Sequence, residues 1–149
     1  MTEAQRADDV FATSGAVAPA TRPKPRLLLA DDHVALLDSL SELLAPTYDV
    51  VGAVADGELL VQAALELEPD LILTDIGMPR LNGLDAVTAI RCHGAGVRVV
   101  FYTVDQDIDT AEEAIRRGAT GYVSKAASLS ALLEVLRAAM AGVTRIVLR

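Results

Sequence analysis

Four short apolar runs in this chain each lead into a residue able to do chemistry. Arg26 to Ala30 (RLLLA) runs into Asp31-Asp32, Leu71 to Thr74 into Asp75, Val97 to Tyr102 (VRVVFY) into Thr103, and Gly121 to Ser124 (GYVS) into Lys125. Three carboxylates gathered in one place repel one another unless a cation joins them. Mg2+ (or Mn2+) is the natural occupant, being hard, oxygen-seeking and prone to keep part of its water. With only His33, His93 and a lone Cys92, the chain has no soft-ligand cluster for another transition metal. A carboxylate beside Mg2+, a lysine ammonium and a hydroxyl is an arrangement for phosphoryl transfer. In that reading Asp75 is the nucleophile, Asp32 holds the metal directly, and Asp31 assists through the metal or its waters. The backbone carbonyl of Gly77 can supply a further ligand. Lys125 and the metal neutralise charge on the phosphoryl oxygens, and Thr103 donates a hydrogen bond to one of them. Taken singly, each is also an ordinary strand-end polar residue, and Asp75 alone could simply begin a turn. Their joint placement favours chemistry.

For these residues to meet, the apolar runs must be parallel strands ending on one rim. The chain supplies the required rhythm. After Asp31-Asp32, Val34, Leu37, Leu40, Ser41 and Leu44 recur at helical spacing until Pro46. Asp49 to Ala55 (DVVGAVA) reads as a strand that tolerates Gly52, and Asp56 caps a helix carrying Leu60 and Ala64 that stops at Glu68-Pro69. Met78-Pro79 and Asn82-Gly83 make a turn after Asp75, and Leu84, Val87 and Ile90 mark the next helix. The acidic stretch Asp105 to Asp109 suits the positive end of a fourth helix, which runs to Gly118. Ser128 caps a fifth helix that Gly142 stops. Five strands alternating with five helices predict right-handed crossovers and a parallel sheet covered on both faces. In such sheets ligands bind at the carboxyl ends of the strands.

Bulk properties narrow the rest. The apolar share is 52%, enough for a real core, and with two Phe, three Tyr and no Trp that core must be aliphatic. A formal net charge of -8 argues against a nucleic-acid surface, which needs clustered Lys and Arg. The lone cysteine fits a reducing cytosol, and no stretch is apolar and long enough for a membrane span or a secretion signal, so a cytoplasmic location is expected. Residues 1–25 read as a disordered tail, 26–142 as the domain, and 143–149 as an extension, linker stub or small strand. His33 is expected to face solvent near the rim, and Cys92 to fill a helix face.

The acidic pair Asp31-Asp32, the segment Asp75-Ile76-Gly77-Met78-Pro79 with Gly83, Thr103, and Tyr122 three residues before Lys125 together resemble a bacterial two-component response-regulator receiver domain. The likeness runs from about Arg26 to Gly142, and LLLADDH and GYVSK resemble the subfamily that usually carries a helix-turn-helix output domain. The resemblance implies a flavodoxin-like (βα)5 fold of strand order 2-1-3-4-5. It also implies phosphorylation by a histidine kinase, a phosphotransfer protein or a small phosphodonor, with catalysis limited to the domain's own phosphorylation and dephosphorylation. A switch is expected in which Thr103 moves toward the phosphoryl group and Tyr122 turns inward, reshaping the face of the fourth helix, fifth strand and fifth helix.

Val104 stands where the family often has a smaller residue, and it is expected to narrow access to Asp75. Gly77 and Asp105 are expected to tune phosphoryl lifetime, with helix capping the equal alternative for Asp105. The fifth helix is apolar on more than one side, so Leu129, Leu133, Leu136 and Met140 form a candidate interface for homodimerisation or a partner helix. The chain leaves no room for a helix-turn-helix after Gly142, which fits either a single-domain regulator or the receiver part of a DNA-binding regulator. A dehalogenase-like hydrolase is disfavoured by Gly77 where a second Asp is typical, and a flavin binder by DDH in place of a Gly-rich loop. An adaptor with a vestigial site ranks low because no site residue is missing.

Overall fold

The structure, a computed structural model, describes residues 23–94 and 96–149. Of the tail expected over 1–25, residues 1–22 lie outside the described residues. Among the described residues, six strands and five helices alternate: β1 Arg26–Ala30, α1 Val34–Leu44, β2 Asp49–Val54, α2 Gly57–Leu67, β3 Leu71–Thr74, α3 Gly83–Cys92, β4 Arg98–Thr103, α4 Ile108–Arg116, β5 Gly121–Ser124, α5 Leu129–Met140 and β6 Arg145–Val147. The sheet is parallel throughout, in the order β2-β1-β3-β4-β5-β6. Its first five strands have the expected 2-1-3-4-5 order of a flavodoxin-like (βα)5 sandwich.

Alternation along the strands sorts the core into two layers. Leu28, Ile72, Phe101 and Tyr122 face α2, α3 and α4, meeting Leu60, Val87, Ile90 and Ala114. Leu27, Leu29, Leu73 and Val123 face α1 and α5, meeting Leu40, Leu44, Leu132 and Leu136. Both layers are mainly aliphatic, with Phe101 and Tyr122 the largest side chains buried in the first and Tyr48 in the second.

Two local features depart from simple strand geometry. The β1–β2 register slips between Leu27 and Leu28, where Val50 gives way to Gly52 as the next partner. A Cβ at Gly52 would lie 3.1 Å from the side chains of both Leu28 and Leu67, so the glycine lets α2 close over the bulge. At the other edge, residues 145–147 form a sixth strand in register with β5, pairing Tyr122 with Ile146. Of the readings open for 143–149, the small strand accounts for residues 145–147, where Ile146 and Leu148 pack on one core layer and Val147 on the other. Gly142, at φ +79, makes the turn that brings the chain back. No helix among the described residues is long and apolar enough to cross a membrane.

Candidate functional site

Parallel register builds the site. Ala30 pairs with Thr74, Thr74 with Phe101, and Thr103 with Ser124, so Asp31, Asp75 and Lys125 all leave the sheet at one rim. The Lys125 ammonium lies 2.7 Å from Asp31 Oδ2 and 3.0 Å from Asp75 Oδ2, donating to both. Asp31 and Asp75 are buried, and Lys125 is largely so. Its Nζ also sits 5.8 Å from the centre of the Tyr102 ring.

The remaining lone pairs are allotted unevenly. Asp75 Oδ1 accepts from the Ile76 amide at 2.7 Å. Asp31 Oδ1 accepts from the His33 amide at 2.9 Å and lies 3.0 Å from the His33 ring Nδ1. Asp32 is partly open to solvent, and its Oδ1 lies 3.4 Å from the His33 ring Nδ1. Ligand atoms of Asp31, Asp32, His33 and Asp75 all lie within 4.8 Å of one another. Converging carboxylate oxygens with one member still exposed fit a hard divalent cation that keeps several waters.

Burial by itself would raise the Asp31 carboxyl. The hydrogen bonds from Lys125 and His33 outweigh it and hold this group below the ordinary aspartate range. Burial likewise works against the Lys125 ammonium, but Asp31 and Asp75 raise it above the usual lysine value. Both groups are therefore charged at neutral pH. The Tyr122 phenol is pushed well above its usual value, by burial first and then by Asp105, Asp107 and Asp75, and stays neutral.

Thr103 is buried, and its Oγ1 accepts from the Asp105 amide at 3.4 Å. The Tyr122 hydroxyl donates to the Asp105 carbonyl at 2.8 Å. Thr103 and Tyr122 thus grip the same loop from two sides. The tyrosine ring is fully buried. The Asp105 carboxylate accepts from the Asp107 amide at 2.8 Å. The cap of α4 is Asp107, which accepts from the Asp109 amide, so Asp105 shapes the turn before the helix rather than capping it. Val104 is exposed and, with Ala35, Leu36, His33 and Lys125, lines a mainly apolar recess of about 400 Å³.

The loop after Asp75 depends on close approach. A Cβ at Gly83 would lie 2.1 Å from the Asp75 carbonyl oxygen, and the Gly83 amide donates to the Ile76 carbonyl at 2.7 Å. Backbone must move for any side chain to fit. Gly83→Ala is expected to destabilise the fold by about 3 kcal/mol, read as a lower urea midpoint. Gly77 has open space where a side chain would stand, leaving its loop unobstructed there.

Some expectations need correction. Leu136 is fully buried against the sheet and leaves the candidate interface on α5. Leu129 is exposed, while Leu133 and Met140 are half-buried against the α1/α5 core layer. His33 keeps an exposed ring, as expected, yet that ring also meets the carboxylates. Its place directly after Asp31-Asp32 was the available signal. Cys92, read as a helix-face filler, is exposed at the end of α3. Sequence reasoning also missed the contact of Arg80 with Asp56, 24 positions apart on two different rim loops.

A parallel sheet of this order, with an acidic cluster and a lysine at its carboxyl rim, defines a phosphoacceptor domain of the flavodoxin-like kind. The response regulator receiver domain family matches residues 27–137, and the chain belongs to that family. It is 37% identical over 118 residues to the nitrate/nitrite response regulator protein NarL of Escherichia coli K12, covering 78% of this chain and 55% of NarL. A two-component response regulator of the LuxR family from Aurantimonas superposes with a TM-score of 0.78 at 29% identity, covering 82% of this chain and 89% of that one. The response regulator domain of Thermotoga maritima CheB gives 0.73 at 34% identity, covering 80% and 98%. The chain spans a little over half the length of the first curated relatives it matches.

Proposed function

We propose that Asp75 is the residue that accepts the phosphoryl group, from a histidine kinase or a phosphotransfer protein. One observation carries the reading: Lys125 bridges Asp31 and Asp75, while Asp32 stays open beside them. A carboxylate oxygen of Asp75 attacks phosphorus as the bond from phosphorus to the donor nitrogen breaks, leaving an acyl phosphate and a free imidazole. Lys125 is already within hydrogen-bond reach of Asp75 and compensates charge on the transferred oxygens without reorganising. Asp31, Asp32 and Asp75 with the Gly77 carbonyl would hold Mg2+, which supplies charge neutralisation between the carboxylates and the phosphoryl oxygens. Thr103 gives up its bond from the Asp105 amide to donate to a phosphoryl oxygen. That frees the loop which Tyr122 holds, and the change reaches α4 and β5.

The output face is then α4, β5 and α5, with Ile108 and Leu129 exposed on it and Leu133 partly so. The added strand β6 covers the outer edge of β5 along Gly121–Val123, so a homodimer or partner helix must seat beside β6 rather than on a bare edge. Val104, Asp105 and Gly77 would tune how long the phosphoryl group lasts, through access for water and donor. Incubation with Mg2+ and a small acyl phosphate, followed by intact mass, tests the reading. A gain of one phosphoryl group that disappears in Asp75→Asn is expected. An adduct that survives the substitution would move the acceptor elsewhere.

A further inference from the structure

Arg80 stands five residues after Asp75 in the loop that also contains Gly77. Its backbone has φ +69, the left-handed region that disfavours a residue carrying a Cβ. What holds it there is visible. Its Nε donates to Asp56 Oδ2 at 3.0 Å, across from the β3–α3 loop to the start of α2. Asp56 is buried, and its other oxygen caps α2 by accepting from the Leu59 amide at 2.8 Å. That amide, opposed by burial and aided by Arg80, holds the Asp56 carboxyl below its ordinary range, so it is charged at neutral pH.

The same junction is closed by backbone. The Gly57 amide donates to the Pro79 carbonyl at 3.3 Å, and a Cβ at Gly57 would fall 1.8 Å from the Leu81 carbonyl oxygen. The loop between Asp75 and Gly83 is thus tied at its far end to Ile76, at its middle through the buried Met78, and at Pro79 and Arg80 to α2. Gly77 lies inside this span, exposed and with open space where a side chain would stand. The direction of its carbonyl is set by how firmly the flanking residues are held.

We propose that the Asp56–Arg80 ion pair is a positioning device for the metal, fixing the β3–α3 loop so that the Gly77 carbonyl is presented to the cation. The inference rests on the Mg2+ reading given above. Neither residue touches the cation. Both act through the loop, much as groups behind a ligand tune a metal site.

Two substitutions separate the ion pair from other roles. Asp56→Asn removes the charge and keeps an efficient helix cap. Arg80→Gly removes the guanidinium and relieves the left-handed backbone. The Mg2+ dissociation constant by titration calorimetry and the melting temperature without metal are measured for wild type, both variants, the double variant and Asp32→Asn. Each single change is expected to weaken Mg2+ binding about 3- to 10-fold, a smaller effect than loss of a group bonded directly to a ligand. The double variant should be no weaker than the weaker single. Variants that melt lower but keep wild-type Mg2+ affinity would show a purely structural pair and overturn the proposal. If wild type and Asp32→Asn alike take up no Mg2+, the metal reading itself falls and this one with it.

Discussion

Lys125→Ala is expected to slow phosphorylation of this chain by about 10²- to 10³-fold, the usual loss when one preorganised charge-stabilising donor is removed. The reason lies in where the ammonium already sits. It contacts Asp31 at 2.7 Å and Asp75 at 3.0 Å, and both carboxylates are buried. No other cation among the described residues makes an ion pair with Asp75. In the variant, charge arriving on the phosphoryl oxygens meets two carboxylates with no ammonium beside them. Initial rates with an acyl phosphate donor, followed by intact mass, read the effect.

The same substitution should lower stability in metal-free buffer by about 1–3 kcal/mol, since it strips a charged hydrogen-bond partner from two buried groups. The pH dependence has a definite sign. Asp31 is held below its unfolded value by Lys125 and His33 against the opposing effect of burial. Its contribution is therefore full above the unfolded aspartate range and lost as pH falls through the lower folded value. Without Lys125 that contribution shrinks, so the acid side of the stability profile should flatten. Urea midpoints across the acid range test this. A profile identical to wild type would mean that Lys125 contributes little to the charged state of Asp31.

Asp32→Asn is expected to remove Mg2+ dependence altogether. Asp32 is the acidic residue at the rim with exposed oxygens not already taken by Lys125 or backbone. A neutral amide there leaves the cation one fewer negative ligand, and Mg2+ depends on few carboxylates plus water. A ligand that binds only the folded state stabilises it by about 2.7 kcal/mol at a hundred times its dissociation constant. Wild-type protein should show a rise of that order in saturating Mg2+, and Asp32→Asn should show none. Phosphorylation should fall with chelator in wild type and be low with or without chelator in the variant. A variant that still gains stability from Mg2+ would place the main metal ligand on Asp31 or Asp75.

The sheet was readable because buried parallel strands are uninterrupted apolar runs, and four of them lead to a polar residue: Asp31 after β1, Asp75 after β3, Thr103 at the end of β4 and Lys125 after β5. The Leu71–Thr74 strand and its Asp75 exit could be read directly from LILTD. The meeting of Asp31, Asp75 and Lys125 followed from parallel register alone, across sequence separations of 50 and 94. The contact of Arg80 with Asp56 did not, because no periodicity links two loops and a left-handed Arg has no sequence signature. Residues 143–149 were ambiguous for another reason. A strand of three residues becomes one only when β5 offers an edge and the core offers a place for Ile146. Leu136 was misplaced because α5 is apolar on several sides, and helical spacing alone does not say which side meets the sheet.

The central claim is that Asp75 carries the phosphoryl group. An acyl phosphate is reduced by borohydride to an alcohol, which marks the modified aspartate as homoserine. Protein phosphorylated in Mg2+, reduced and digested, should yield homoserine at position 75 by peptide sequencing and an unmodified Asp75 when Mg2+ is withheld. Homoserine at Asp31 or Asp32, or a phosphoryl group that borohydride leaves untouched on another residue, would contradict the account.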